Sequence, residues 1–424
     1  MTKKNAPTII VIIALAAALF GLVMNNIPIL GSFRFIWGPG TALLLLMIKP
    51  TIIFTPWLKN LLIYGLIVIF LLPNLIWHQM DEWNRRSLLE EFISLLFVFI
   101  VIAFYLKKKD PIGLSLVAKY SLVFMLISVF ITHLVLFVDP TIIRDSAAVF
   151  DENETRLNLA ERTGAIGYGY AQGITFLFPV FIFAIKYKLK LIWSVGFTLI
   201  IFLLFLFLTI RSQVFSNLLV GSIIIILSLI GTKNKSFTYT LIGVIVFLIF
   251  VIPVEVYSNL LREASTFFDA RSETYLKLND FANFIVDPET DNEDLAASHR
   301  ASRYPMLLSS LAENPLLGTL ASYKTSYQEE GAHLYFMNRL AIWGIPVFLF
   351  FLYVLFSPIL RIRNFLDNRF KYYYFLSVLA FIMYGLTKNI AGREPFIILF
   401  IIVPGTYYLL RRNNPAFFKK LMKN

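Results

Sequence analysis

Long apolar runs separated by short polar segments dominate the chain. Twelve such runs start near residues 8, 29, 61, 89, 113, 166, 191, 212, 237, 336, 371 and 395. Each approaches the roughly 20 residues that a helix needs to cross the hydrocarbon core of a bilayer. The run from Thr8 to Met24 has no small-residue cleavage site, so we interpret it as a retained span. The pattern predicts an all-α polytopic membrane protein with about twelve transmembrane helices, forming a single membrane domain over residues 1–424.

Composition supports this fold class and excludes several kinds of protein. Of the 424 residues, 58% are apolar and only 15% are charged, whereas soluble domains carry roughly 25% charged residues. A soluble core cannot enclose so much apolar surface, which excludes a soluble enzyme and a disordered chain. The chain has no cysteine, so disulfides, thiolate chemistry and cysteine-ligated zinc are excluded as well.

The placement of charge predicts the orientation in the membrane. Lysine and arginine favour the cytoplasmic side of short connections, and alternate connections between the apolar runs carry them. Both termini are therefore expected in the cytoplasm, and the net charge of +12 follows from topology. Nucleic acid is consequently not expected as a partner. The basic residues of the predicted outer side are mostly arginines, which bind phosphate or carboxylate through two hydrogen bonds, so we expect an anionic ligand there.

Two predicted outer connections are long enough to hold a functional site. The first is an outer loop of residues 139–165, and the second is a large, partly helical extracytoplasmic loop of residues 257–335. The start of the second loop has apolar residues at roughly helical spacing, which predicts one amphipathic helix near the membrane surface. Residues Ser298 to Ala312 predict a second helix, kinked at Pro305 and ended by the residues from Glu313 to Gly318.

Several side chains of the outer face could carry chemistry. His333 lies where the large loop re-enters the membrane, and its ring could accept a proton at physiological pH. The alternative is an interfacial histidine that begins the next span. Arg211 ends an apolar run, and Arg300 and Arg303 lie one helical turn apart, a spacing suited to gripping a diphosphate. Flanking charge and ion pairs with the acidic stretch 287–294 are the alternatives for these arginines.

The sequence lacks the motifs of several other enzyme classes. HExxH, a phosphate-binding P-loop, a nucleotide-binding GxGxxG and a GxSxG elbow are all absent, which argues against a metalloprotease, an ATP-driven pump and a serine hydrolase. Ionisable groups are nearly absent from the central thirds of most apolar runs. A proton or ion pathway through the membrane is therefore not expected.

The order of polar motifs over residues 160 to 350 resembles the bacterial superfamily of O-antigen ligases and O-antigen or capsular polysaccharide polymerases. The resemblance is carried by Arg162 before a glycine-rich span, Arg211, Arg300 with Tyr304, the Asn-Pro-Leu-x-Gly motif of residues 314–318, His333, and the Trp-Gly-Ile motif of residues 343–345. In this family asparagine often follows the histidine, whereas Leu334 follows it here.

The resemblance implies a membrane-embedded glycosyltransferase with a GT-C-like architecture in the bacterial plasma (inner) membrane. The implied enzyme needs no metal or other cofactor and transfers a glycan from undecaprenyl diphosphate on the outer face, with inversion at the anomeric centre. His333 would be the general base, and Arg211, Arg300 and Arg303 would bind the diphosphate. Weaker substrate contacts are assigned to Arg162, Tyr304 and Arg339. Tyr304, Tyr323, Tyr335 and Trp343 could stack on sugar rings.

Three functions are compatible with these features. The first is a polymerase that adds a lipid-linked glycan to a new lipid-linked repeat unit in lipopolysaccharide or capsule biosynthesis. The second is a ligase that transfers the same glycan to the lipid A core. The third, from another class, is a flippase or exporter of lipid-linked oligosaccharides. The expected partners are undecaprenyl-diphosphate-linked oligosaccharide, the lipid bilayer, and a chain-length regulator or flippase of the same pathway.

Overall fold

The fold is all-α throughout the part of the chain that is described. A computed structural model describes residues 34–71, 82–108, 111–138, 167–211, 215–230, 254–268, 273–286, 303–318, 334–388, 390 and 393–421. About 89% of the structure is helical, and these ranges contain no strand. Five helical segments are long and apolar enough to cross a membrane: Leu88–Leu106, Ile112–Val138, Gly169–Lys186, Tyr335–Asn364 and Glu394–Asn413. These findings confirm the prediction of an all-α membrane protein.

The helices follow one another in this order. The first group is α1 (Arg34–Ile48), α2 (Pro56–Gly65), α3 (Glu82–Lys108), α4 (Pro111–Val138), α5 (Tyr168–Thr175), α6 (Phe178–Lys186), α7 (Val195–Arg211) and α8 (Phe215–Ile230). The second group is α9 (Val254–Ser265), α10 (Glu273–Val286), α11 (Arg303–Glu313), α12 (Tyr335–Asn364), α13 (Asn368–Thr387), α14 (Glu394–Ile397), α15 (Val403–Asn413) and α16 (Pro415–Leu421). A 3-10 turn at Pro50–Phe54 precedes α2, and π-helical turns at Leu66–Leu71 and Ile398–Ile402 follow α2 and α14.

The predicted apolar runs coincide at least partly with helices wherever the structure describes them. The runs that start near residues 8 and 237 lie outside the described residues. Four apolar helices are shorter than the five long segments: Pro39–Ile48, Pro56–Ile69, Val195–Arg211 and Ser216–Ile230. The number of twelve spans therefore stays a prediction, although the described runs among the twelve coincide at least partly with helices.

The bundle is held together by buried aromatic contacts and by close approach at glycines. Phe183 of α6 lies with its ring 5.2 Å from that of Phe370 and 5.0 Å from that of Tyr373, both on α13. A Cβ atom at Gly173 would lie 2.4 Å from Cδ1 of Ile398, so this glycine lets α5 approach the π-helical turn after α14. The glycine-rich span after Arg162 thus supplies a helix contact in the core.

Connections predicted to share the cytoplasmic side meet at one end of the bundle. The Tyr407 hydroxyl donates to the Asp367 carboxylate at 2.6 Å, and Asn413 Nδ2 donates to the Leu191 carbonyl at 2.6 Å. These bonds join the connection after α6, the connection after α12 and the end of α15. The grouping agrees with alternate connections lying on one side, while the side of the membrane that they face stays a prediction.

The start of the large loop forms two helices where the sequence suggested one. The prediction of one continuous amphipathic helix is wrong, because α9 ends at Ser265 and α10 starts again at Glu273. The Ser265 hydroxyl turns back to the Arg262 carbonyl at 2.7 Å, a side-chain bond typical of a helix end. The helices pack antiparallel, with Arg262 donating to Asn283 at 2.9 Å and Asn279 donating to Ser265 at 3.1 Å.

The second helix that the sequence predicted for the loop corresponds to α11, which ends at Glu313 as predicted. The described helix starts at Arg303, so the expected kink at Pro305 between residues 298–302 and the rest of the helix stays a prediction. Pro305 falls in the first turn of this helix, where proline is tolerated because the first N–H groups lack intrahelical partners. Residue Ser298, the expected N-cap, lies outside the described residues.

A candidate active site around the start of α12

The start of α12 is fixed by backbone hydrogen bonds to the end of α13. Leu334 precedes the helix in an extended conformation, and its carbonyl accepts from the Asn338 N–H at 2.8 Å. The Tyr335 N–H donates to the Lys388 carbonyl at 3.1 Å. Leu334 itself is only 1% exposed. The chain therefore enters α12 through a buried, hydrogen-bonded residue that directly follows His333.

Helix α11 packs against this same start. Leu307, Leu334 and Ala341 form a small buried cluster, and the partly buried side chains of Tyr304 and Met337 pack against it. The Tyr304 hydroxyl donates to the Leu386 carbonyl near the end of α13. Burial raises the pKa of this hydroxyl above its ordinary value. Helix α11, which begins at Arg303, is thereby docked beside the residue that follows His333.

A backbone contact joins the Asn-Pro-Leu-x-Gly motif of residues 314–318 to the Trp-Gly-Ile motif of residues 343–345. The Ile345 N–H donates to the Pro315 carbonyl at 2.9 Å, and the Gly318 N–H closes a turn on the Asn314 carbonyl at 2.7 Å. Gly318 and Gly344 both have positive φ, at 61° and 72°. A Cβ atom at Gly318 would lie 2.3 Å from the Ala341 carbonyl oxygen. This backbone-to-backbone contact between residues 314–318 and 341–345, here called the glycine latch, explains why both motifs contain glycine.

An ion pair joins α12 to α3 one turn into the helix. The Arg339 guanidinium contacts the Glu91 carboxylate, and the Tyr335 hydroxyl donates to the same carboxylate. Arg339 Nη1 also donates to the Tyr335 carbonyl at 2.9 Å, and its Cζ lies 3.6 Å from the centroid of the Tyr335 ring. The side chains of Arg339 and Glu91 are 13% and 12% exposed. Arg339, expected to contact substrate, is thus largely engaged within the protein.

Aromatic rings enclose this ion pair. The Tyr64 ring of α2 lies 5.8 Å from that of Trp343 and 5.5 Å from that of Phe351. Tyr335 and Trp343 are each 1% exposed. The expectation that Tyr335 and Trp343 stack on sugar rings is therefore wrong, because their faces are already covered by the protein. Trp343 Nε1 has no hydrogen-bond partner among the described residues.

A second acidic side chain of α3 makes a separate pair. Glu90 lies 3.4 Å from Nη2 of Arg393, which directly precedes α14. The Arg393 side chain is 6% exposed and that of Glu90 is 31% exposed. Two adjacent carboxylates of α3 thus pair with two arginines, one in α12 and one directly before α14. Sequence reasoning missed Glu91 as a site residue, although a Glu-Glu pair entering an apolar run was a signal of buried pairing.

Arg211 belongs to a different contact network. Its Nη2 donates to the Leu136 carbonyl at 3.0 Å, and its Cζ lies 4.1 Å from the centroid of the Phe137 ring. Leu136 is in the last turn of α4, where carbonyl groups lack intrahelical partners and a cation is favourable. Arg211 therefore caps α4.

Most of the remaining residues expected in the site lie outside the described part of the chain. His333, Arg300 and Arg162 lie outside the described residues, and Arg303 contributes the first residue of α11. Among the described residues, no three histidine, aspartate or glutamate side chains come together in a group that could hold a metal ion. The described part of the candidate site therefore consists of the α12 start, the docked α11, the glycine latch and the Arg339–Glu91 pair.

A comparison of the sequence with protein-family models finds no match, and a comparison with curated proteins finds none either.

Proposed function

We propose that the chain is a membrane-embedded glycosyltransferase of about twelve spans and GT-C-like architecture, which polymerises polysaccharide repeat units from a polyprenyl diphosphate carrier. The observation that carries the proposal is the docking of α11 and the glycine latch against the start of α12. Motifs that are separate in the sequence and carry the resemblance meet there. Arg303 begins one of the joined elements, and His333 is covalently attached to the other.

The proposed reaction is a single displacement. His333 takes the proton of the acceptor hydroxyl as its oxygen attacks the anomeric carbon, and the bond from that carbon to the diphosphate breaks. The leaving diphosphate gains negative charge, which Arg211, Arg300 and Arg303 stabilise. A guanidinium carries five N–H donors, so Arg211 can donate from Nη2 to the Leu136 carbonyl and from another N–H group to the diphosphate. Attack from the face opposite the leaving group inverts the anomeric centre.

The test uses the full-length protein purified in detergent, with lipid-diphosphate-linked repeat units as the only substrate. We expect a ladder of longer glycans on a gel, and the ladder should persist in EDTA. Transfer that occurs only after a lipopolysaccharide core is added would identify a ligase. No transfer under either condition, together with movement of lipid-linked units across proteoliposome membranes, would identify a flippase and contradict the proposal.

Replacement of Arg300 tests how the diphosphate is held. Arg300→Lys should reduce transfer nearly as far as Arg300→Ala, because an ammonium group cannot form the paired hydrogen bonds of a guanidinium. Transfer rates at saturating acceptor, measured for both variants over a range of donor concentrations, check this. Arg262→Lys is the matched control, since Arg262 bonds to Asn283 in the α9–α10 pair. Full activity of Arg300→Lys would show that Arg300 contributes only its positive charge.

A further inference from the structure

We infer that Glu91 is a positioning residue for the transfer reaction, acting through Arg339 and Tyr335 on the first turn of α12. The inference rests on the proposed function, since the residue to be positioned is His333. Glu91 lies in α3, 244 and 248 positions earlier in the chain than the two side chains that it binds. No sequence motif therefore assigns it a role.

The contacts of Glu91 lie along one face of the helix start. Its carboxylate binds the Tyr335 hydroxyl and the Arg339 guanidinium, which are one helical turn apart. Arg339 in turn holds the Tyr335 carbonyl at 2.9 Å. A carboxylate that accepts from two side chains of one turn restricts rotation of that turn about the helix axis. Leu334 directly precedes the restricted turn and follows His333 in the sequence, so we expect the restriction to act on the position of His333.

If the Arg339–Glu91 pair served only stability, apolar side chains could take its place. Burying a guanidinium and a carboxylate costs desolvation energy that their attraction repays only partly, and apolar replacements are often as stable. The pair is nevertheless enclosed by Tyr64, Trp343 and Phe351. A directional contact offers what apolar packing lacks, namely a defined rotation of the first turn.

Close packing holds Glu91 itself in place. A Cβ atom at Gly65 would lie 2.2 Å from the ring of Phe92, so α2 is pressed against α3 at the residue after Glu91. Gly385 is in similar contact with the ring of Phe336, which follows Tyr335. Arg339 and Glu91 therefore both lie on closely packed helices, as a positioning contact requires.

The adjacent carboxylate provides a matched control. Glu90 occupies the same turn of α3 but pairs with Arg393, before α14. Glu91→Gln keeps the shape of the side chain and removes its charge, and Glu90→Gln makes the same change one residue away. We expect Glu91→Gln to lower kcat about 10²-fold with little change in the KM for the lipid-linked donor, because misplacement by about 1 Å costs that much. Glu90→Gln should keep kcat within a few-fold of the wild type.

Hydrogen exchange gives a readout that does not depend on the substrate. Amide exchange over residues 334–340 should be faster in Glu91→Gln than in the wild type and unchanged in Glu90→Gln. Tyr335→Phe removes one bond to Glu91 without removing charge, and it should show smaller effects in the same direction. If Glu91→Gln fails to fold, kcat and amide exchange are both measured on Tyr335→Phe instead.

The outcomes separate the inference from the proposed function. Unchanged kcat and unchanged exchange in Glu91→Gln would overturn the inference, as would an equal loss of kcat in Glu90→Gln. A wild-type protein that makes no product would overturn the proposed function and, with it, the link to catalysis. Faster exchange confined to residues 334–340 would in that case still establish that Glu91 orders the start of α12.

Discussion

Replacing Gly344 by valine should prevent accumulation of folded protein. Gly344 has φ 72° and ψ 174°, a backbone conformation that is essentially restricted to glycine and costs other residues about 1–3 kcal/mol. A Cβ atom there would also lie 2.4 Å from the Leu316 carbonyl oxygen. The colliding atom belongs to the backbone, so it cannot swing aside as a side chain could. Fluorescence size-exclusion chromatography and the Tm in detergent would measure the loss.

A glycine in open space is the control for this substitution. Gly40 lies in α1, and a Cβ atom added to it would meet no other atom within 4 Å, so Gly40→Ala should leave Tm unchanged or raise it slightly. Gly318→Ala should be damaging as well, because it also opens the glycine latch. The effects of Gly318→Ala and Gly344→Ala should be less than additive, since both remove one contact. A Gly344→Val protein with wild-type Tm would show that the latch does not form.

Replacing His333 by alanine should abolish transfer without loss of membrane insertion. A positioned general base contributes roughly 10²–10⁴-fold to a rate, and alanine leaves no group to accept the proton of the acceptor hydroxyl. Leu334, which seats the chain in the small cluster with α11, is untouched by the substitution. Product ladders and single-turnover rates, compared at equal amounts of purified protein, check the effect.

A histidine elsewhere on the predicted outer side is the control for His333→Ala. His78 lies between the apolar runs that start near residues 61 and 89, a connection expected on the outer side, so His78→Ala should retain activity. A further test is the pH profile of the wild type, which should lose rate as His333 becomes protonated at low pH. A fully active His333→Ala variant would remove His333 as the base and return it to the alternative of a helix-capping residue.

Local pattern was enough to predict the helices but not their pairing. Apolar runs of suitable length predicted apolar helices, and Glu313 to Gly318 predicted the end of α11, because both depend on neighbouring residues. The bond from Arg339 to Glu91 joins residues 248 positions apart. Nothing local distinguishes Glu91 from Glu90, and the choice of partner depends on how α3, α12 and α14 pack.

The errors in the large loop have the same origin. Apolar spacing suggested one helix, but it could not register the break after Ser265, where side-chain hydroxyls bond back to carbonyls of their own turn. Aromatic residues at a water boundary likewise suggested sugar stacking for Tyr335 and Trp343. Their burial depends on Tyr64 of α2 and on Phe351, which lies beyond the kink of α12.

The kink at Gly344 divides α12 into two arms with different tasks. The 30 residues of Tyr335–Asn364 are more than a bilayer needs, since about 20 helical residues already span the roughly 30 Å hydrocarbon core. The arm after the kink is long enough to cross by itself. The arm before it, with Tyr335 and Arg339, therefore does not have to match the thickness of the hydrocarbon core. Changes in bilayer thickness should tilt the longer arm while the shorter arm keeps its orientation against α3 and α11.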